Sequence, residues 1–107
     1  ERVGGDFGND VSIESIVKKV SQLSKVSEKE IVGKSRKMEI AEARQLSMYL
    51  CRDIMGTSLM NIGVFFGGRD HTTVMHAVKT IDNKKTTDVK MKKMITSVRQ
   101  ELGFSFL

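Results

Sequence analysis

The run Gly67-Gly68-Arg69-Asp70-His71-Thr72-Thr73-Val74-Met75-His76-Ala77 opens with two glycines, a cation, a carboxylate, an imidazole and two hydroxyls in sequence. Val74, Ala77, Val78 and Ile81 then recur at i, i+3, i+4 and i+7, the period of an amphipathic helix. A tight turn therefore delivers polar side chains to the N-terminal end of a helix. Unpaired N–H groups and the positive pole of the dipole favour anions there, and in a basic chain the anion to expect is a nucleic-acid phosphate. The side-chain types also suit base-edge readout. Asp70 can accept from a cytosine amino group. Thr72 and Thr73 offer a methyl to thymine and a hydroxyl to phosphate or base, and His71 combines an apolar ring face with a polar nitrogen.

Other chemistries fit these residues less well. His71 and His76 are five apart, well off a common helical face, and no Cys or carboxylate at ligand spacing completes a metal set. Asp70 and His71 are adjacent, so on a helix their side chains diverge, and no nucleophile stands beside them. Asp70 reads more simply as an N-cap. The Gly-x-x-x-x-Gly-Lys-Ser/Thr phosphate loop is absent. The sequence predicts a non-enzyme without metal or cofactor. Cys51, the single cysteine, falls in an apolar helical stretch and reads as core.

The elements that must position this run are legible in outline. The chain has 107 residues, enough for one domain, a net charge of +5 and a pI near 9.5. That balance favours nucleic acid, acidic lipid or an acidic partner, with plain solubility as the bland alternative. No apolar run approaches the ~18 residues of a transmembrane helix, and no signal peptide is evident, so the expected location is the cytoplasm. The chain opens with Glu1 and reads as a piece of something longer.

Residues 1–9 are glycine-rich and aperiodic and are assigned as a linker or tail; residues 10–107 form the predicted domain. A first helix is predicted over about 12–23 with Ile13, Ile16, Val17 and Val20 inward. Ser27 and Glu30 stand in capping-box spacing and start a short second helix that ends at Gly33. Lys34-Ser35-Arg36-Lys37 is a basic loop, either a solvated turn or a contact element. A third helix spans about 39–55, with Ile40, Ala43, Ser47, Leu50, Cys51 and Ile54 along one side. Arg44 within it either pins a phosphate or is an ordinary exposed residue.

Ser58 caps a short fourth helix with Leu59, Ile62, Phe65 and Phe66 inward. Asp70 caps a fifth that runs to about Lys84. Phe65, Phe66, Val74 and Ile81 are expected to be buried where these two meet. Thr86-Thr87-Asp88 starts a sixth, with Met91, Met94, Ile95, Val98 and Leu102 inward. Lys84, Lys85, Lys90, Lys92 and Lys93 make a second basic cluster, read as a solvated face. No stretch has a sustained period of two, so the expected class is all-α: about six helices in a compact bundle. The glycine-bearing turn between the fourth and fifth helices has helix-turn-helix spacing.

The chain resembles the C-terminal DNA-binding domain of the bacterial DnaA replication-initiator family over about residues 12–102. The most specific match is the run from Phe66 to Ala77. Ala43-Arg44-Gln45-Leu46-Ser47-Met48-Tyr49-Leu50 and Ser58-Leu59-Met60-Asn61-Ile62-Gly63 also match family blocks at the right spacing. The resemblance implies a Trp-repressor-like fold that binds the double-stranded DnaA boxes of the replication origin, in the bacterial cytoplasm at the nucleoid. It implies base contacts from Arg36 in the minor groove and from Asp70, His71 and Thr72 in the major groove. Backbone contacts are implied for Arg44, Gln45, Leu59, Met60 and Thr73. Lys34 and Arg69 join them as cations beside these positions. ATP belongs to a segment of the full initiator outside this chain.

The sequence departs from the family pattern at Ala43 and Met60, where many relatives carry proline. It departs again at Met38 and Glu42, where basic residues are common; these changes should weaken phosphate contacts near the basic loop. No heptad run or spare apolar face offers a dimer interface, which predicts a monomer on one asymmetric box. The rival readings are a transcription regulator using the same motif and a helical module whose basic loop meets an acidic protein.

Overall fold

Short polar residues start five of the six helices found in residues 11–103, which the computed structural model describes. Ser12 caps α1 (Ile13–Ser24) through a full capping box with Ser15. Ser27 caps α2 (Glu28–Val32), and its Oγ accepts from Glu30 N. Ser58 caps α4 (Leu59–Phe65) in the same way through Asn61 N. Asp70 caps α5 (His71–Thr87), and Asp88 caps α6 (Val89–Glu101). Each side chain satisfies one of the N–H groups that a helix start leaves open. Only α3 (Met38–Met55) begins without such a bond, at Lys37.

The fold is all-α, and α3 is its axis: α1, α2, α4 and α5 all pack on it. The fifth helix runs three residues beyond its predicted end at Lys84. Asp88 explains this, because it closes one helix and opens the next: its N–H donates to Lys84 O while its Oδ1 accepts from Met91 N. A one-residue joint therefore turns α5 into α6, and α6 returns to α1.

A single amphipathic stripe undercounts the burial of α3. Ile40, Ala43, Ser47, Leu50 and Cys51 are buried as expected, but so are Arg44, Leu46, Met48 and Tyr49. A helix ringed by four neighbours has little solvent face left. At the motif junction Phe66, Val74 and Ile81 are buried, whereas Phe65 is only half-buried. Phe65 lies edge-on against Phe66, with ring centroids 5.2 Å apart. Ile13, Ile54, Leu59, Met94 and Leu102 are likewise only half-buried, at the margin of the core. Burial pushes the Cys51 thiol up to about 12, with the nearby Glu14 adding to it, so the group stays a neutral core residue. The expected linker at residues 1–9 lies outside the described residues. No helix of the described residues is long and apolar enough to cross a membrane.

Candidate nucleic-acid interface

The turn between α4 and α5 is built on the backbone of Gly63. The N–H groups of Gly68 and Arg69 both donate to Gly63 O, at 3.0 and 2.9 Å. To come back this far the chain passes through two left-handed residues, Gly67 at φ +87° and Gly68 at φ +77°. The turn then lies on α4 itself: a Cβ at position 63 would be 2.1 Å from Arg69 O.

This path aims the start of α5 outward. Asp70 Oδ1 accepts from Thr73 N at 2.9 Å, which secures the first turn. That bond, and the Thr73 hydroxyl after it, hold the Asp70 carboxyl below the usual carboxylate range. A carboxylate whose pKa falls on folding stabilises the fold above its unfolded pKa and ceases to do so as the pH falls through its folded one. Asp70→Ser should keep the cap and lose this acid sensitivity. Urea midpoints of the two proteins are therefore expected to converge as the pH is lowered from 7 towards 3. Parallel curves across that range would show that Asp70 is not a charged cap.

His71, Thr72 and Thr73 are exposed on the first turn of α5. Thr72 and Thr73 share a groove between α3 and α5 with Gln45, His76 and Thr80. Sequence reasoning weighed His76 only as a metal ligand and missed its place here. The signal was available, since Thr72, His76 and Thr80 follow at i, i+4 and i+8 and must lie on one face. Among the described residues no three His, Cys, Asp or Glu side chains gather where they could hold a metal ion.

A second cleft lies beside the first. Lys34, Ser35 and Arg36 of the basic loop form one side, and Gly67, Gly68 and Arg69 of the turn form the other. Arg44 and Arg69 line both clefts. Neither resembles the exposed phosphate contact that the sequence suggested. Arg44 is only 6% exposed. Its Nε, Nη1 and Nη2 donate to Ile31 O, Ser35 O and Glu30 O at 2.8, 2.9 and 3.0 Å. Arg69 is half-buried, and donates from Nε to Phe66 O and from Nη2 to Gly33 O. Both arginines face inward because the C-terminal carbonyls of α2 need donors. Burial first, and the Arg69 charge second, lower the Arg44 pKa.

The remaining candidates separate. Met60 is 69% exposed and Leu59 half-buried at the start of α4; neither lines these two clefts. Of the second basic cluster, Lys84 pairs with Glu42 and Lys85 with Asp82 and the Tyr49 hydroxyl, while Lys90, Lys92 and Lys93 are exposed. The Glu42 that departs from the family pattern thus serves an α3–α5 contact.

Comparison with known proteins finds a helix-turn-helix family in the same stretch of chain. Residues 13–81 match the family model described as the bacterial dnaA protein helix-turn-helix. The chain is 43% identical over 93 residues to the chromosomal replication initiator protein DnaA of Lactococcus lactis subsp. cremoris, which covers 87% of this chain and 20% of that protein. The corresponding protein of Chlorobaculum tepidum is 40% identical over 92 residues, 86% of this chain and 19% of its own. That of Flavobacterium psychrophilum is 41% identical over 94 residues, 88% and 20%. The chain spans about a fifth of the length of the curated relatives it matches.

Proposed function

The chain belongs to the bacterial DnaA helix-turn-helix family, and on that premise we propose that it docks a replication initiator on the DnaA boxes of its origin. One observation carries the reading: the basic cleft and the first turn of α5 open side by side on one face of the helix-turn-helix. A duplex laid across that face would present its major groove to Asp70, His71 and Thr72. The adjoining minor groove would meet Arg36, whose charge favours the narrow, electronegative groove of A·T pairs. Lys34, Gln45 and Thr73 would contact the sugar-phosphate backbone and fix the register, with Leu59 and Met60 packing against it. His76 joins this set from the α3–α5 groove.

The contacts so arranged are asymmetric, and α6 has its Met91, Ile95 and Val98 face committed to the domain's own core. Both points support a monomer bound to one directional box. The docking needs no cofactor of its own, and ATP is assigned to a part of the initiator beyond this chain.

Competition titration of a DnaA box against a scrambled duplex of equal composition tests the reading. The box is expected to win clearly at moderate salt. His71→Ala should lose about 1–3 kcal/mol on the box and much less on scrambled DNA. Equal losses on both duplexes would remove His71 from the base readers, and equal affinity of the unaltered chain for both would overturn the docking itself.

A further inference from the structure

We propose that Arg44 and Arg69 are positioning residues for DNA reading: they hold the loop that carries Arg36 at a set distance from the start of α5. The proposal rests on the docking reading above and adds how its two contact elements are kept in register.

The need for a brace follows from the local structure. With only five residues, α2 is too short to hold itself in water. The loop after it, Lys34-Ser35-Arg36-Lys37, has no regular structure, and its own bond is Lys37 N to Ser35 Oγ at 3.2 Å. Its backbone is held from outside. Arg44, reaching from α3, donates to the carbonyls of Glu30, Ile31 and Ser35, before and within the loop. Arg69, one residue before the Asp70 cap, donates to Gly33 O across 36 positions of sequence, at 2.8 Å. The second bond of Arg69, to Phe66 O, ties the same guanidinium to the turn. Five carbonyls thus receive two guanidinium planes, and the loop and the recognition turn share them.

Simple stabilisation does not account for the choice of arginine. Among the described residues neither guanidinium meets a carboxylate. Arg44 is buried and Arg69 half-buried, both bond neutral oxygens, and no ion pair among these residues offsets the loss of water around either charge. What arginine supplies is a flat fork with five donors at fixed angles. Lysine, whose three donors share one nitrogen, cannot span carbonyls spread around a guanidinium plane. The three carbonyls engage three of the five Arg44 donors and fix the plane of a side chain that is only 6% exposed.

Fluorescence anisotropy on a box, and on copies carrying each A·T pair changed to G·C, separates the roles. Positions whose penalty is flattened by Arg36→Ala define the loop end of the box. Arg44→Met and Arg44→Lys are expected to flatten those same penalties, each about tenfold or more in the unaltered chain. Penalties at the His71 and Thr72 end should stay within about twofold. Added to Arg36→Ala, Arg44→Met should change nothing further at the loop end.

Arg69→Met gives the same one-ended pattern and serves as the readout if the Arg44 variants do not fold, since Arg69 is less buried. Equal loss of preference at both ends would mean a merely structural role. A sequence-independent loss that lowers the salt slope by about one, with rescue by Arg44→Lys, would mean a phosphate contact. Either result overturns the proposal. If the unaltered chain shows no penalty at any position, the docking reading fails first, and is recognised as the cause.

Discussion

Phe66→Ala is expected to cost the domain about 3–5 kcal/mol, a large part of the ~5–15 kcal/mol that holds a domain of this size together. The side chain is 0% exposed and is the largest in the fully buried set. It sits at the C-cap of α4, where its N–H donates to Ile62 O and its carbonyl accepts from Arg69. Backbone bonds on both sides fix the ring in place, so its neighbours cannot collapse far into the space it leaves. Phe65→Ala is the matched control. Its ring is half-buried, so truncation deletes less buried surface and leaves no closed cavity, and it should cost less than half as much. Urea unfolding followed by circular dichroism reads both as shifts in midpoint at constant slope. Similar midpoints for the two variants would mean that the inward face of α4 is misassigned.

That pair of phenylalanines shows what the sequence makes legible. Caps are readable because the chemistry is local. Ser27, Ser58 and Asp70 each stand next to the helix they start, and local spacing alone marks them as caps. Apolar periodicity is also local, and it located six helices with boundaries good to a few residues. It cannot say how many sides of a helix are covered. Met48 and Tyr49 break the stripe of α3 yet are buried, because α5 approaches from a direction that the stripe does not encode.

The burial and internal bonds of Arg44 are illegible in the sequence for the same reason. Nothing in its neighbourhood along the chain shows that the carbonyls of residues 30, 31 and 35 will need its donors. The family resemblance carried Arg44 into the DNA contacts by position, whereas its bonds are internal. The candidate site was legible where it is contiguous, in the run from Gly67 to Thr73. It was not legible where it is assembled from separate elements: the cleft between basic loop and turn, and the groove that includes His76.

Gly63→Ala is expected to lower both stability and specificity, against what local propensity predicts. Gly63 lies inside α4, and alanine in a helix interior is favoured over glycine by about 1 kcal/mol. On an open helix the substitution would stabilise. Here the new Cβ would meet Arg69 O at 2.1 Å, Arg69 C at 3.1 Å and Val74 Cγ2 at 3.4 Å. Two of these three atoms are backbone of the turn and cannot swing aside as a side chain does. Overpacking of this kind costs about 1–3 kcal/mol, occasionally more, and outweighs the propensity gain.

The turn must also lift from α4, loosening the bonds that Gly68 and Arg69 make to Gly63 O. Asp70, His71 and Thr72 follow directly and move with it, as does the Arg69 bond to Gly33. The charges that attract any duplex are untouched. Binding to scrambled DNA should therefore hold, while the preference for a box over it falls about tenfold or more. Gly56→Ala provides the contrast. Gly56 has φ +68° with nothing within 4 Å, so its cost is backbone strain alone, at the other end of α4 from the turn, and box preference should survive. A Gly63→Ala domain that unfolds at higher urea, or keeps its box preference while Gly56→Ala loses it, would mean that the turn does not rest on α4.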